Sequence, residues 1–357
     1  MKFIFKYLIS IIVFLLICEI VTRVFFPIFS ENNIYYKEND YFRVSKGKKT
    51  YFKEFNKLLV RVKNPKVKLI FNENKTIWFI GDSITNGYGV NFEDTYYSYL
   101  NQNLKNENLN FNIFASGMYG NNYEDNLLFA ENLSKILSKK DFVIYQFNYN
   151  DLIDIGSQRL KFSDKDIPSR SFLMKLINST NKFRYKYLNY SSFFQLLQHH
   201  ASIIVRNTEG SCFERGLDAL GPYTYAFFAD GYENKSKLVW DSFKKDILKI
   251  KKIFSGKDIN FLILIVPTSI QLNNHKKINK LNYDIKCSNI DPRKYLTEFL
   301  KKNNLNFIDS TEYFLKFENN FKEKLFHSFD TNHPNENGHK LISQSIKEEL
   351  IKNYLNQ

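Results

Sequence analysis

The stretch Thr-Ile-Trp-Phe-Ile-Gly-Asp-Ser-Ile-Thr, residues 76–85, decides the fold of this chain of 357 residues. Thr76–Ile80 is a short apolar run rich in β-forming residues, which predicts a buried strand. A Gly-Asp-Ser segment follows directly and predicts a turn from strand to helix. Ser83 stands at this turn, so its hydroxyl is expected outside the carboxyl end of the strand, where parallel α/β sheets carry their sites.

Four further apolar runs follow, separated by segments with helical periodicity. All the predicted strands are short and rich in β-formers: Thr76–Ile80, Phe111–Ala115, Phe142–Phe147, Asn260–Val266 and Asn306–Ile308. The predicted helices share apolar residues at helical spacing: Thr95–Leu104, Asn122–Leu137, Trp240–Phe254, Pro292–Lys302 and an amphipathic helix at 335–354. This alternation predicts an α/β fold with a central parallel sheet of about five strands and helices on both faces.

Residues with catalytic chemistry follow the first three predicted strands. Gly117 comes after the second strand and Asn150 after the third, so both are expected to converge with Ser83 at one edge of the sheet. Near the C-terminus, Asp330 and His333 are three residues apart, which places both side chains on one face of a helical turn.

These residue types suit nucleophilic catalysis on an ester. A serine hydroxyl needs a base, for which His333 is the candidate, and Asp330 would orient its imidazole. The backbone N–H groups of Ser83 and Gly117 and the side-chain amide of Asn150 are candidate donors to an oxyanion. Taken singly, each pattern has a simpler explanation, such as a turn at Asn150 or a helix N-cap at Asp330.

The remaining histidines and glycines give no sign of a cofactor. His327 and His339 have no aspartate three residues before them, so neither is predicted to be the base. No Cys–His spacing typical of a metal site occurs. The turn after Ser83 lacks the G-K-[ST] ending of a phosphate-binding loop. We therefore expect neither a cofactor nor a metal.

The segments around Ser83, Gly117, Asn150 and His333, in this order and at this spacing, resemble the SGNH (GDSL-like) hydrolase family, in its membrane-anchored bacterial form. Ser83, Gly117, Asn150 and His333 match the four residues that name the family, and Asp330 matches its third triad member. The resemblance implies a flavodoxin-like three-layer α/β/α sandwich, and it implies hydrolysis through an acyl-enzyme on the serine.

Two positions depart from the family pattern. Asn148 stands where the family has the glycine of G-x-N-D, and its side chain is expected to narrow the pocket or alter the backbone near Asn150. Ala115 stands where relatives often carry an asparagine. The resemblance covers residues 76–350, and 152–239 are poorly covered.

Residues 1–30 predict a transmembrane anchor. Tyr7–Phe26 supplies the roughly 20 apolar residues that a membrane helix needs. Glu19 and Arg23 are i,i+4 neighbours and are expected to pair near its exit. No alanine or glycine occurs in 15–30, which favours an uncleaved anchor over a cleaved signal peptide.

The charges beside this segment predict its orientation. Lys2 and Lys6 favour a cytoplasmic amino terminus, whereas Glu31, Glu38 and Asp40 follow the apolar run. The expected location is therefore the inner membrane, crossed once, with the catalytic domain outside the cytoplasm, in the periplasm.

Beyond the anchor, the expected organisation is a linker at 31–75 that leads irregularly into a hydrolase domain at 76–357. Residues 152–239 break the strand–helix rhythm and are interpreted as a helical insertion. It either caps the active site, rests on the membrane, or is a structural elaboration. Cys212 and Cys287 either form a disulfide outside the cytoplasm or remain free thiols.

The formal charge of +14 is spread over many lysines and fits several partners. A basic face suits anionic lipid or acidic polysaccharide. Nucleic acid is not expected as a partner, because no nucleic-acid module signature is present. The simplest interpretation is a lysine-rich chain with solvated side chains.

Three functions fit these patterns. The first is a membrane-anchored serine esterase acting on acyl esters, foremost O-acetyl esters, with an acetylated carbohydrate as a candidate substrate. The second is an O-acyltransferase that passes the same acyl group to an extracytoplasmic polysaccharide, together with partner proteins of polysaccharide modification. The third is a non-catalytic carbohydrate-binding or assembly protein on the same scaffold.

Overall fold

The computed structural model describes residues 2–25, 33–37, 40–45, 48–71, 73–117, 123–149, 151–152, 155, 191–194, 196–197, 233–268, 272, 292–320, 324–327 and 333–355. The helices are α1 (Lys2–Phe25), α2 (Ser83–Asn86), α3 (Tyr96–Asn106), α4 (Tyr123–Ile136), α5 (Glu233–Ser255), α6 (Pro292–Lys302), α7 (Thr311–Asn320) and α8 (Glu336–Leu350). The strands are β1 (Asn33–Lys37), β2 (Asp40–Ser45), β3 (Lys48–Phe55), β4 (Leu58–Val62), β5 (Thr76–Gly81), β6 (Asn112–Gly117), β7 (Phe142–Phe147), β8 (Asn260–Ile265) and β9 (Asn306–Asp309).

The central element is a five-stranded parallel sheet in the order β6-β5-β7-β8-β9. Counted along the chain from β5, this is the order 2-1-3-4-5 of the flavodoxin-like fold. Gly81 pairs with Gly117, so the carboxyl ends of β5 and β6 lie side by side. The predicted α/β fold class is confirmed, and each of the five predicted strands is present.

Alternate side chains of the sheet face two separate hydrophobic clusters. On β5, Ile77 and Phe79 belong to the cluster that α3 and α8 cover, whereas Trp78 and Ile80 belong to the cluster that α4, α5 and α6 cover. Every residue of β5 and β7 is buried, because helices cover both faces of a parallel sheet. The molecule therefore has the three layers predicted from the sequence.

Strands β1 to β4 form a second sheet, which is antiparallel and has the order β1-β2-β3-β4. The sequence predicts an irregular linker over 31–75, so the structure differs from this expectation. The sequence of β3, Lys-Lys-Thr-Tyr-Phe-Lys-Glu-Phe, contains four charged residues, so it lacks the continuous apolar run by which the strands of the parallel sheet are recognised. Leu58 and Val60 of β4 are buried in the same cluster as Trp78, so this sheet packs against the parallel sheet.

Helix α1 contains the predicted membrane segment. In the part of the chain that the structure describes, Lys6–Phe25 is the one helix long and apolar enough to cross a membrane, by length and composition. Glu19 and Arg23 pair as predicted, with 2.7 Å between Oε1 and Nε. Glu19 also contacts residues 191–193 of the predicted insertion.

Most of the predicted insertion at 152–239 lies outside the described residues. The same holds for Cys212 and Cys287. At the edges of the insertion, Leu152 and Ile155 are buried in the cluster on the α5 side of the sheet, and α5 begins at Glu233, earlier than predicted.

Candidate active site

Ser83 lies in a tight turn, residues 81–87, that joins β5 to α2. Asp82 is the N-cap of α2, and its carboxylate accepts a hydrogen bond from the Ile84 N–H at 2.9 Å. Gly87 ends the helix in the left-handed conformation, with φ of 72°, which a glycine adopts without strain. Ser83 is the first residue of this short helix, so its N–H is one of the donors without an intrahelical acceptor.

His333 lies within hydrogen-bond distance of Ser83, although the two residues are 250 positions apart in the sequence. The His333 Nε2 atom lies 2.7 Å from the Ser83 Oγ atom. When Nε2 is unprotonated it accepts the hydrogen bond from the serine hydroxyl, which is the geometry of an activated nucleophile. Both residues are almost buried, with 4% and 7% of their surface exposed.

The segment that carries His333 is fixed on both sides. Phe326 and Pro334 form an isolated antiparallel bridge, and the Asn335 N–H donates to the Leu325 carbonyl at 3.0 Å. Asn335 is also the N-cap of α8, because its side chain accepts from the second and third amides of the helix. The imidazole is thus held by the start of the last helix.

Gly117 packs against the back of the turn that holds Ser83. A Cβ atom placed at Gly117 would lie 2.3 Å from the backbone nitrogen of Asn86 and 2.7 Å from the Asp82 carbonyl oxygen. The side-chain amide of Asn86 donates to the Gly117 carbonyl at 3.2 Å. Only glycine therefore fits at this position, because a side chain would push β6 away from the turn that holds Ser83.

Two of the five predicted site residues, Asn150 and Asp330, lie outside the described residues, so their contacts with Ser83 and His333 stay predictions. The structure does describe Asn148, the position that departs from the family pattern. Its side-chain amide donates to the Val266 carbonyl at 3.1 Å, and its backbone N–H donates to the Asp151 carboxylate at 3.1 Å. The Asn148 side chain thus joins the ends of β7 and β8.

A cluster of buried polar side chains holds the turn that carries Ser83 through hydrogen bonds. The Gln146 Oε1 atom accepts hydrogen bonds from the backbone of Asp82 at 3.3 Å and from both the N–H and the hydroxyl of Thr85, at 3.2 and 2.9 Å. The Thr85 hydroxyl also lies 2.9 Å from the Tyr96 hydroxyl. This cluster fixes the turn to β7 and α3.

His339 belongs to this support rather than to the reacting pair. Its Nδ1 atom accepts a hydrogen bond from the Tyr96 N–H at 3.2 Å, and its ring stacks on the Tyr96 ring. Burial, together with the nearby charge of Arg61, holds the pKa of His339 well below 6.5. The imidazole is therefore neutral and acts as an acceptor.

Sequence reasoning missed two residues that contact the site. Arg61 of β4 is buried, and its guanidinium donates to the carbonyls of Asn86, Gly87 and Val90 in the loop after Ser83. Between these, the Tyr88 ring lies 4.5 Å from the His333 ring, measured between centroids. A lone arginine inside the apolar run 58–62 is a signal in the sequence for a buried charge, but it does not show which groups the guanidinium contacts.

His327 contributes to the same loop. Its Nε2 atom lies 3.3 Å from the Tyr88 carbonyl oxygen, and a Cβ atom at Gly89 would lie 2.6 Å from that nitrogen. Gly89 has φ of 78°, so the loop depends on glycine for its conformation as well as for its close approach. Across the described ranges, no three His, Cys, Asp or Glu side chains are grouped as metal ligands would be.

Fold and site together define a class of arrangement: a flavodoxin-like sheet that carries a hydrogen-bonded Ser–His pair at the carboxyl ends of its strands. No protein-family profile matches the chain, and no curated protein matches it. Among solved structures, a member of the lipolytic protein G-D-S-L family from Veillonella parvula DSM 2008 is 14% identical, over 79% of this chain and 100% of that chain, with a TM-score of 0.38.

A second similar structure is a catalytic mutant of an acetylxylan esterase from Geobacillus stearothermophilus. It is 15% identical, over 79% of this chain and 96% of that chain, with a TM-score of 0.39. At such values the similarity does not identify a reaction, so the chemistry of this chain rests on Ser83, His333 and the residues around them.

Proposed function

We propose that this chain is a serine esterase of the SGNH (GDSL-like) type, anchored in the membrane by α1 and acting outside the cytoplasm. The observation that carries the proposal is the 2.7 Å contact between the Ser83 hydroxyl and His333 Nε2. A serine within hydrogen-bond distance of an imidazole, at the carboxyl end of a parallel sheet, is arranged for attack on a carbonyl carbon.

The reaction proceeds through an acyl-enzyme. His333 Nε2 takes the proton of Ser83 as Oγ forms a bond to the ester carbonyl carbon. The protonated imidazole then gives this proton to the leaving alcohol as the ester C–O bond breaks. Water repeats the sequence on the acyl-serine and releases the acid. No cofactor takes part in these steps.

The negative charge on the carbonyl oxygen needs donors that are already in place. The Ser83 N–H at the start of α2 is one, and we assign the Gly117 N–H and the Asn150 side-chain amide as the others. Asp330 accepts from the second ring nitrogen of His333 and stabilises the imidazolium. The roles of Asn150 and Asp330 rest on their match to the family pattern.

The substrate is an ester with a small acyl group, foremost acetyl. Ser83 is only 4% exposed, and the Tyr88 ring is packed against His333, so a bulky acyl chain has little access to Oγ from this side. An acetylated carbohydrate outside the cytoplasm is the natural alcohol part for an enzyme held at the membrane.

The test is ester hydrolysis by the full chain in detergent, with p-nitrophenyl acetate as substrate, beside Ser83→Ala. We expect Ser83→Ala to lower kcat by at least about 10³-fold. The serine and the histidine act as one unit, so loss of the serine removes the contribution of both. A fluorophosphonate probe should label the unmodified chain and leave Ser83→Ala unlabelled. Ser138→Ala is the matched control, because Ser138 is exposed before the amino end of β7.

Two results would contradict the proposal. The first is hydrolysis that survives in Ser83→Ala, since another nucleophile would then do the work. The second is a folded chain that neither hydrolyses the ester nor reacts with the probe, which would favour a non-catalytic binding protein. Acyl transfer to an added sugar, with little free acid, would keep the acyl-enzyme and change the acceptor.

A further inference from the structure

One stripe of α1 is covered by protein while the rest of the helix is exposed. Cys18 and Glu19 are partly buried and Thr22 is 2% exposed, whereas the other side chains of Lys6–Phe25 are exposed. The three covered positions lie on one face, because residues four apart are neighbours on a helix. The helix as a whole is apolar enough for lipid, with a mean hydropathy of 2.5 over the 20 residues Lys6–Phe25.

The Glu19 carboxylate on this face contacts residues 191–193. Its Oε2 atom accepts from the Ser191 hydroxyl at 2.7 Å and from the Phe193 N–H at 3.0 Å. Its Oε1 atom accepts from the Ser192 N–H at 3.0 Å and from Arg23 at 2.7 Å. Residues 192–194 are helical, so Glu19 supplies an acceptor for amides that a helix start leaves without one.

The position of Glu19 along α1 sets the depth of this contact. Glu19 follows Lys6 by 13 residues (19 − 6), which is about 20 Å of helix. The hydrocarbon core of a bilayer is about 30 Å thick. With Lys6 at one boundary, Glu19 lies about 10 Å below the opposite one, a depth at which interfacial segments are buried. Backbone amides at that depth need protein acceptors, and the carboxylate provides them to Ser192 and Phe193.

The segment itself has the composition of a lipid-facing surface. Phe193, Phe194, Leu196 and Leu197 follow the contact, and Leu197 is 49% exposed. We propose that residues 191–194 and 196–197 lie where the head groups meet the acyl chains of the bilayer that α1 spans, held there by Glu19. This inference rests on the membrane anchor of the proposed function. The catalytic domain is then fixed to the lipid surface at a second point.

Tryptophan fluorescence in bilayers tests this placement. The full chain is placed in nanodiscs of phosphatidylcholine, with or without brominated acyl chains, as Leu197→Trp and as the control Leu248→Trp on α5. The native Trp78 and Trp240 are buried in the domain and give the same background in both variants. We expect brominated lipid to remove about half of the fluorescence added at position 197, as at interfacial depth, and almost none at position 248.

Adding Glu19→Ala to Leu197→Trp tests the role of the carboxylate. Alanine is more apolar than glutamate, so α1 stays inserted, and we expect the quenching at position 197 to fall to the level of Leu248→Trp. Equal quenching at positions 197 and 248 in the unmodified background, or quenching that Glu19→Ala leaves intact, would overturn the proposal. Extraction of the unmodified chain from membranes by alkaline carbonate would overturn the anchor itself, separately from the esterase activity.

Discussion

The parallel and the antiparallel sheet differ in how easily their strands can be recognised in the sequence. They also differ in which parts of the site they position. The parallel sheet is apolar on both faces, and the ends of its strands lead into Ser83 and Gly117. The antiparallel sheet of β1–β4 carries charged residues among its apolar ones and places Arg61 under the loop after Ser83. The comparison shows that both sheets position the site. The parallel sheet leads into Ser83 and Gly117, and the antiparallel sheet holds the loop after Ser83.

The largest effect should come from the close approach at the parallel sheet. Gly117→Ala puts a Cβ atom against the backbone of the turn that holds Ser83, so we expect kcat to fall by about 10²-fold or more. Overpacking should also lower the free energy of unfolding by about 1–3 kcal/mol. Gly256→Ala is the control, since its Cβ would meet the Lys252 and Ile253 carbonyl oxygens at 3.4 and 3.8 Å, which are ordinary contacts. Equal activity in the two variants would break the comparison.

The brace from the antiparallel sheet should have the next largest effect. Arg61→Met keeps the apolar stem but removes the guanidinium donors from the carbonyls of Asn86, Gly87 and Val90. We expect the free energy of unfolding to fall by about 1–3 kcal/mol. The loop also carries Tyr88, so kcat per folded enzyme should fall by about 10-fold with little change in KM.

Active-site titration with a fluorophosphonate separates the two effects of Arg61→Met. The titration counts folded enzyme, and kcat is then referred to that count. Tyr88→Ala should reproduce the loss of kcat, because it removes the ring that lies on His333. An Arg61→Met enzyme with normal kcat per titrated site would show that the second sheet stabilises the fold without positioning the nucleophile.

A smaller effect concerns pH and the neutral His339. Its folded-state pKa lies below the unfolded value of about 6.5, so the unfolded chain binds the extra proton first on acidification. Stability is therefore unaffected above that pH and falls below it, by up to about 1.4 kcal/mol per pH unit, until His339 itself is protonated. Urea unfolding at several pH values should show a shallower loss in His339→Gln. Parallel curves would mean that His339 is protonated when folded.

The smallest effect is expected for the surface neighbour of Arg61. Lys63 pairs with Glu93 at 2.8 Å, but both side chains are about half exposed, at 58% and 49%. Such pairs contribute under about 1 kcal/mol. Lys63→Met should therefore change stability only slightly and leave kcat as it is. If Lys63→Met lost as much kcat as Arg61→Met, the buried hydrogen bonds of Arg61 would not explain why that residue matters for the site.

Much of the parallel sheet was predictable, because period and composition agree there. Runs such as Phe142–Phe147 are too apolar to lie anywhere but between two layers of helix. The pairing of Ser83 with His333 was predictable for a different reason, since only certain residue types at certain strand ends can perform the chemistry. The four antiparallel strands were missed because a sheet with one solvated face mixes charged and apolar residues.

Arg61 could not be predicted to act near Ser83 because its partners are backbone carbonyls. Carbonyl oxygens are present in every residue, so no sequence pattern marks which of them a buried guanidinium will find. The same holds for Gln146, whose three hydrogen bonds depend on the packing of β7 beside β5. Contacts of this kind become visible only once the strands have a known order.

The Ser83–His333 contact joins residues 250 positions apart, and this separation has a consequence for timing. During synthesis the serine emerges long before the histidine, and its hydroxyl is an ordinary alcohol until the segment that carries His333 has docked. On the proposed function, a copy that stops short of His333 is therefore inert toward esters.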